Sequence, residues 1–281
     1  MNVPEAEPDQ LIVVQPSGRQ IDLAKTIHEV ETNVLGRYIR LLQASTNPAL
    51  LTEKINLNDL GFLFDEIDYS IESALDQVEQ NKAKQRMYFD AGVDSMVTPK
   101  FTTGMQLIEQ LVAEGKKVIV WGMFVGTMHK IYNELSEKGI LSHLIYGQTP
   151  KEDRVELINE FRNGPVQVLI SNPATLGESI SLHQSVHDAV YFEYNFNLTF
   201  MLQSRDRIHR LGLDDNQYTR YYYLMTDGNN AHNGFIDQLV YDRLKEKEAV
   251  MMNAIEGNLL LPEVGDDYLE DAKKVIKKIR I

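Results

Sequence analysis

Short apolar runs alternate with longer stretches of helical periodicity through residues 117–224, and this alternation restricts the possible folds more than any other feature. The runs are rich in β-branched and aromatic residues, and they cover 118–121, 143–146, 166–170, 189–192 and 218–224. The helical stretches between them cover 127–138, 152–161 and 200–210. Alternating strands and helices form βαβ units, so the sequence predicts an α/β fold with a parallel sheet and helices on both faces.

The same alternation indicates where a ligand would bind. An open parallel sheet binds its ligands at the carboxyl ends of its strands. The segment 171–182 directly follows one predicted strand, and the helical stretch that carries Gln203 follows another. Both segments are therefore expected at the ligand-binding edge of the sheet.

The back half of the chain contains the pattern F-N-x5-Q-x3-R-I-H-R-L-G, which runs from Phe196 to Gly212. Its two arginines, Arg207 and Arg210, are three residues apart. On a helix both guanidinium groups would lie on one face, where they can grip adjacent oxygens of a phosphate chain. An arginine pair of this kind is also common on an ordinary solvated helix face. The pattern therefore needs support from the rest of the chain.

Three further blocks precede this pattern. The first is K-V-I-V-W-G-M-F at 117–124, which has the character of a buried parallel strand that runs into a turn. The second is G-Q-T at 147–149, with Arg154 seven residues after the glycine and Phe161 seven residues later. The third is N-P-A-T-L-G-E-S-I-S-L at 172–182.

The four blocks resemble, in order and in internal spacing, the conserved motifs of superfamily-2 helicases of the Swi/Snf type, which are ATP-dependent DNA translocases. The family patterns are V-V-I-F-S-Q-F, G-S-T-x4-R-x6-F, S-T-R-A-G-G-L-G-I-N-L and W-N-P-x4-Q-A-x2-R-x2-R-x-G-Q. The resemblance covers residues 96–228 and, more loosely, the chain before them. It implies a RecA-like lobe, the second of the two lobes in such motors.

The resemblance also implies functions for single residues. Arg207 and Arg210 would clamp the γ-phosphate of ATP, with Gln203 as a polar positioning group. The residues that would line the nucleotide near its ribose are Gly177, Glu178 and Ser179. The residues that would bind nucleic acid are Phe124, Arg154, Asn172 and Ser181.

The chain departs from the family pattern at four positions. Ser179 and Ser181 replace a glycine and an asparagine, and Glu178 replaces an apolar residue. Leu213 replaces the last glutamine of the arginine motif. Serine keeps a small volume and one hydroxyl, so a polar contact survives, but it adopts positive backbone torsions less readily than glycine.

No segment matches G-x4-G-K-[ST], the loop that cradles nucleotide phosphates; residues 115–117 come nearest and lack the first glycine and the hydroxyl residue. The D-E-I-D run at 65–68 imitates an acidic box that holds magnesium. With no phosphate loop before it, we interpret it as an acidic cluster without a catalytic function. ATP and Mg²⁺ are therefore expected to be held mainly by a first lobe absent from this chain, and the isolated chain is expected to be inactive.

Three regions are predicted along the chain. Residues 1–95 contain an N-terminal strand, at 11–14, and a helical segment that leads from the first lobe. Residues 96–228 form the RecA-like lobe. Residues 229–281 form a helical brace and a tail, whose lysines fit a solvated helix face better than a phosphate contact.

Composition limits the partners of this chain of 281 residues. Its net charge is −13, so weak nucleic-acid binding by the chain alone is expected, through a local basic strip of Lys100, Lys130, Lys151, Arg154 and Arg205. It has no cysteine, and its histidines show no ligand spacing, so we predict no protein-held metal. No run is long enough to span a membrane and no signal sequence follows Met1, so we expect a cytoplasmic location.

The sequence therefore predicts the second motor lobe of an ATP-dependent translocase or helicase that acts on nucleic acid, in particular double-stranded DNA. This lobe would supply arginine fingers to ATP bound on the first lobe. The alternative is a degenerate helicase lobe that acts as a non-catalytic DNA- or protein-binding module, which Ser179, Ser181 and Leu213 favour. An unrelated doubly wound hydrolase or transferase is a third possibility, and the matched motif spacings argue against it.

Overall fold

The computed structural model describes residues 3–55, 82–176, 180–227, 234–257 and 268–279. The strands in these ranges are β1 (Gln10–Val14), β2 (Val118–Trp121), β3 (Ser142–Ile145), β4 (Val168–Ser171), β5 (Asp188–Tyr191) and β6 (Arg220–Thr226). The helices are α1 (Gly18–Val30), α2 (Val34–Thr46), α3 (Lys82–Asp90), α4 (Pro99–Ala113), α5 (Val125–Glu137), α6 (Lys151–Asn163), α7 (Leu198–Asp206), α8 (Asp237–Glu256) and α9 (Tyr268–Lys278). The D-E-I-D run at 65–68 lies outside the described residues.

The strands form a single sheet in the order β1-β6-β5-β2-β4-β3. β2 pairs in parallel with both β4 and β5. β3 pairs in parallel with β4, and β5 with β6. Every residue of the central strand β2 is buried, which explains its uninterrupted apolar sequence. The prediction of an α/β fold built on a parallel sheet is confirmed.

The chain divides into two compact units. The first unit consists of residues 1–14, 100–194 and 200–225 and holds most of the sheet. The second unit consists of residues 15–99, 195–199 and 226–281 and is mainly helical. The boundaries predicted from the sequence, at 95/96 and 228/229, stay predictions.

Both faces of the sheet are covered in the first unit. α4 and α5 pack on one face, in a core that contains Phe192 and Leu224. Gly104 of α4 permits this close packing, because a Cβ atom there would lie 2.3 Å from the Phe192 ring and 2.5 Å from Leu224. On the other face α7 lies over two tyrosines. The Tyr191 hydroxyl is 2.7 Å from Ser204 Oγ, and the Tyr221 hydroxyl donates to the Arg205 carbonyl at 3.1 Å.

The second unit is held by helix caps and by a buried polar network. Ser17 forms a capping box with Gln20 at the start of α1. The carboxylate of Asp237, 1% exposed, accepts from the Thr226 N–H at 2.8 Å and from Ser45 Oγ at 2.5 Å. This network joins α2, the end of β6 and the start of α8, and it satisfies a carboxylate that burial alone would destabilise.

Two expectations about helices differ in part from the structure. The stretch 200–210 is α-helical only as far as Asp206. After it, the Arg207 N–H bonds to the Ser204 carbonyl and the Ile208 N–H to the Arg205 carbonyl, each three residues back, so the last turn is tighter than an α-helix. The Leu182 N–H donates to the Arg207 carbonyl at 2.8 Å. The helical brace predicted within residues 229–281 begins at Asp237. Over the described ranges, no helix combines the length and the apolar character that a membrane crossing requires.

Candidate functional site

The carboxyl ends of β2, β4 and β5 lie side by side at one edge of the sheet. The Gly122 N–H, after β2, donates to the Ser171 carbonyl at 3.0 Å, and the Phe192 N–H, after β5, donates to the Trp121 carbonyl at 2.9 Å. The structure therefore brings the turn that carries Phe124 and the segment that begins at Asn172 to one edge. Parallel sheets bind their ligands at this edge.

The two arginines of the motif have different surroundings. Arg207 is 6% exposed, and its Nη1 donates to the Ile180 carbonyl at 3.2 Å. The side chain of Arg210 is 36% exposed, and its Nε lies 3.4 Å from Asp206 Oδ2. Because α7 ends at Asp206, the two guanidinium groups do not share one helix face. Arg207 secures the neighbouring loop, whereas Arg210 keeps access to solvent, as does Gln203 on α7.

The segment after β4 is shaped by its own side chains. The Asn172 side chain, 5% exposed, accepts from the Thr175 N–H at 2.8 Å and so closes a turn. The Ser181 carbonyl accepts from the Arg162 guanidinium, and the Ser181 hydroxyl is hydrogen-bonded to His183 Nδ1. Between these two parts, Gly177, Glu178 and Ser179 lie outside the described residues. Their predicted position near the ribose stays a prediction.

Arg154 of α6 braces two strand-end loops. Its guanidinium donates to the carbonyls of Thr149 at 2.8 Å, Gly147 at 2.9 Å, Thr175 at 3.4 Å and Tyr146 at 3.5 Å. These bonds join the turn after β3 to the turn after β4. A nucleic-acid contact by Arg154 stays a prediction; in the structure Arg154 positions the loops that such a contact would need.

Glu193 fixes the turn after β2 from the end of the neighbouring strand β5. Its carboxylate accepts from the backbone N–H of Met123 at 3.0 Å, from that of Phe124 at 2.9 Å and from the Thr127 hydroxyl at 2.8 Å. Burial raises the pKa of Glu193 to about 7, although these donors and Lys100 favour the charged form. The Phe124 ring is itself buried, so its predicted nucleic-acid contact stays a prediction.

We expect Glu193→Gln to change how stability depends on pH. The folded chain holds the Glu193 proton up to about pH 7 and the unfolded chain releases it near 4.5. Relative to that of Glu193→Gln, the wild-type free energy of unfolding should therefore fall as pH rises through this window, by about 3 kcal/mol. Urea denaturation across the window measures the difference between the two proteins. Parallel curves would show that Glu193 stays ionised in the folded state.

Three members of the predicted basic strip are engaged inside the first unit. Lys100 is 1% exposed, with its Nζ 5.9 Å from the centre of the Tyr194 ring. Lys130 Nζ lies 4.5 Å from the centre of the Phe101 ring. Arg205 pairs with Asp9 at 2.9 Å. These three side chains do not form the exposed strip predicted from the sequence, because each is committed to an aromatic ring or a carboxylate.

The arrangement offers positive charge and N–H donors rather than a metal centre. In the ranges given for the fold, no group of three or more histidine or carboxylate side chains is close enough to hold a metal ion. Arg210 presents a planar donor fork to solvent beside the strand-end loops. Such a group suits the oxygens of a phosphate or carboxylate anion.

The profile of the helicase conserved C-terminal domain matches residues 100–212, which include every motif from β2 to Gly212. The chain is also 26% identical over 180 residues to "Chromatin-remodeling ATPase INO80" of Saccharomyces cerevisiae. Residues 100–212, here called the helicase lobe, are similar to the C-terminal lobe of superfamily-2 helicases of the Swi/Snf type. The match to INO80 covers 62% of the chain and 12% of that relative, so this helicase lobe spans about an eighth of its length.

Solved structures resemble the helicase lobe in fold. The C-terminal part of the Fun30 ATPase domain has a TM-score of 0.61 at 16% identity, with 99% of this chain and 98% of that chain covered. The SWI2/SNF2 ATPase core of Sulfolobus solfataricus, solved in complex with double-stranded DNA, has a TM-score of 0.52 at 17% identity. That comparison covers 97% of this chain and 50% of the other. The predicted RecA-like fold is confirmed.

Sequence reasoning missed two side chains of the helicase lobe that structure its strand-end loops. Glu193 directly follows an apolar strand run, and a charged residue at that place signals the ligand-binding edge of a parallel sheet. His183 gives a weaker signal, since a lone histidine two residues after Ser181 has no motif. Its hydrogen bond with Ser181 becomes visible only in the structure.

Proposed function

We propose that this chain is the second motor lobe of an ATP-dependent translocase on double-stranded DNA. It supplies arginine charge to ATP and Mg²⁺ bound on a first lobe. The observation that carries the proposal is the state of Arg210. Among the described residues its guanidinium has one ion pair, to Asp206 on the preceding turn, and it remains 36% exposed within the region that matches the helicase profile.

The exposed guanidinium of Arg210 suits the chemistry of phosphoryl transfer. Negative charge spreads over the oxygens of the transferred γ-phosphoryl group, and an arginine delivered from a second lobe stabilises that charge. Arg207 contributes differently, because its bond to the Ile180 carbonyl sets the position of the loop beside Arg210. Opening and closing of the two lobes around ATP then moves them in steps along the nucleic acid.

Two findings support double-stranded DNA as the nucleic acid along which the protein moves. One relative is named a chromatin-remodeling ATPase, and one structural neighbour was solved with double-stranded DNA. The net charge of −13 argues against strong nucleic-acid binding by this lobe alone. So do the contacts of Arg205 with Asp9 and of Lys130 with the Phe101 ring, which engage these basic side chains within the lobe. A groove that both lobes line would supply the phosphate contacts that affinity requires.

We expect double-stranded DNA to stimulate ATP turnover by the protein that contains both lobes, because DNA bound to both lobes would favour their closed arrangement around ATP. Hydrolysis of ATP with double-stranded DNA, with single-stranded RNA and without nucleic acid measures the effect. The present chain alone is the matched control, and we expect it to hydrolyse no ATP. ATP turnover that double-stranded DNA leaves unchanged, or that only RNA stimulates, would contradict the proposal that the protein moves along double-stranded DNA.

A non-catalytic lobe that binds DNA or protein is the second candidate. It is favoured by two side chains: Arg154 is engaged with four backbone carbonyls, and Arg207 is nearly buried. In that case the two-lobe protein would keep its full ATP turnover without Arg210. DNA or protein binding would remain. Turnover by the Arg210 variant therefore separates the two candidates.

A further inference from the structure

A hydrogen-bonded pair, Ser181 and His183, lies in the loop next to the arginine motif. The Ser181 hydroxyl is bonded to His183 Nδ1. Ser181 occupies the position where the family motif has asparagine, and His183 is two residues further along. Through this bond the imidazole places a second polar atom, His183 Nε2, beyond the short serine side chain. Neither residue of this pair has a part in the function proposed for Arg210.

The loop that holds this pair is secured on two sides. Arg207 Nη1 donates to the Ile180 carbonyl, and the Leu182 N–H donates back to the Arg207 carbonyl at 2.8 Å. Arg162 of α6 donates to the Ser181 carbonyl. The loop and the arginine motif therefore form one connected structure, in which the position of His183 is fixed relative to the residues after Arg207.

The Nε2 edge of the His183 ring faces the segment that follows Arg210. A Cβ atom at Gly212 would lie 3.2 Å from His183 Nε2, so the glycine leaves the space that this nitrogen occupies. Gly212 also has a φ of +104°, a conformation that other residues rarely adopt. The backbone therefore turns sharply just where the ring approaches it, and Nε2 lies beside the arginine motif.

We propose that His183 is a further phosphate-binding group of this lobe, with its Nε2–H donating to an oligophosphate anion beside Arg210. The proposal rests on the proposed function, since it adds a residue to the same phosphate site. A Ser181 hydroxyl that donates to Nδ1 leaves the ring proton on Nε2, where it can be donated to an anion. Ser181 is then a positioning residue, which sets the tautomer and the direction of the ring.

The charges around His183 make its protonation sensitive to an anion. Burial lowers the pKa of His183, and the positive charges of Arg210 and Arg162 lower it further, while Asp206 raises it. His187, another titratable neighbour, also has a lowered pKa, from burial first and in part from His183 itself, while Asp188 raises it. A bound oligophosphate would offset the arginine charges and raise the pKa of His183. Binding would therefore take up a proton, and affinity should rise as pH falls.

Nitrogen-15 and proton NMR of the present chain tests the tautomer and the contact. The probe is inorganic tripolyphosphate without a metal. We expect His183 to be protonated at Nε2 near neutral pH, and its pKa to rise when tripolyphosphate is added. Ser181→Ala should mix the two tautomers, and Ser181→Thr should restore the wild-type pattern because it keeps the hydroxyl. A wild-type His183 protonated at Nδ1, or resonances that tripolyphosphate leaves unchanged, would overturn the proposal.

The pH dependence of affinity tests the proton uptake. Between about pH 8 and about pH 6, tripolyphosphate affinity of the wild type should rise about threefold to tenfold more than that of His183→Asn. The protonation of tripolyphosphate itself is common to both proteins and cancels. His143→Asn is the matched control, because His143 lies on β3, away from this loop, with its Nε2 hydrogen-bonded to Glu160 at 2.7 Å. It should follow the wild type.

Arg210→Ala distinguishes failure of this inference from failure of the proposed function. Loss of tripolyphosphate binding in Arg210→Ala, with His183→Asn identical to the wild type at every pH, would remove His183 from the site and leave the arginine clamp intact. If His183→Asn weakens binding and Arg210→Ala does not, the anion site exists without the clamp. The proposed function is judged separately, by ATP turnover of the two-lobe protein.

Discussion

Replacing Arg210 by alanine in the proposed two-lobe protein is expected to lower ATP turnover by about 10³-fold, the loss typical of removing an arginine finger. The guanidinium is exposed beside the strand-end loops, and its ion pair with Asp206 is a surface pair with little energy of its own. It is therefore free to move onto a phosphate when the lobes close. Steady-state hydrolysis at saturating ATP and DNA measures turnover, and the affinity for ATP is measured in parallel.

Matched variants separate lost charge from lost structure. Arg86→Ala removes another guanidinium, one whose side chain is 83% exposed and lies 3.9 Å from Asp90, so turnover should not change. Arg210→Lys keeps a positive charge but loses the planar fork, and we expect an intermediate loss. Asp206→Asn removes the surface partner and should keep most of the activity. Full turnover in Arg210→Ala would instead support the non-catalytic lobe.

The sheet could be predicted because its signal is local. Each buried parallel strand reads as a short apolar run, and the helices between them repeat their apolar residues at helical spacing. The predicted run at 118–121 coincides with β2, and the run at 189–192 is displaced by one residue from β5. Strand ends follow directly from the strands. The sequence could therefore predict that Phe124 and Asn172 lie at the carboxyl-end edge of the sheet.

The contacts of individual side chains could not be predicted from the sequence, because they join residues far apart in the chain. Asp9 pairs with Arg205 across 196 positions, and Glu7 pairs with Arg220 across 213. No local pattern predicts such pairs. The same limit applies to Arg207, whose motif spacing implied a helix face. The α-helix ends at Asp206, and the Leu182 N–H that donates to the Arg207 carbonyl comes from another segment of the chain.

The largest expected effect on stability comes from a buried ion pair in the second unit. Asp271 of α9 lies 2.7 Å from Lys247 Nζ on α8 and 2.7 Å from Arg243, and the side chains of Asp271 and Lys247 are 4% and 2% exposed. Asp271→Ala would leave the Lys247 ammonium buried without its carboxylate, which typically costs about 3–5 kcal/mol. Urea denaturation of the chain measures the loss in the free energy of unfolding.

Two controls show whether the buried charge causes that loss. Glu270→Ala removes the neighbouring carboxylate, whose partner Lys273 lies 2.6 Å away with both side chains well exposed, so the cost should be about 1 kcal/mol or less. The double variant Asp271→Leu with Lys247→Met removes both charges together and should recover most of the loss. If the double variant is as unstable as Asp271→Ala, packing rather than charge is responsible. Lys247 Nζ also donates to the Phe196 carbonyl at 3.1 Å, so this ion pair ties α9 to the residue where the arginine motif begins.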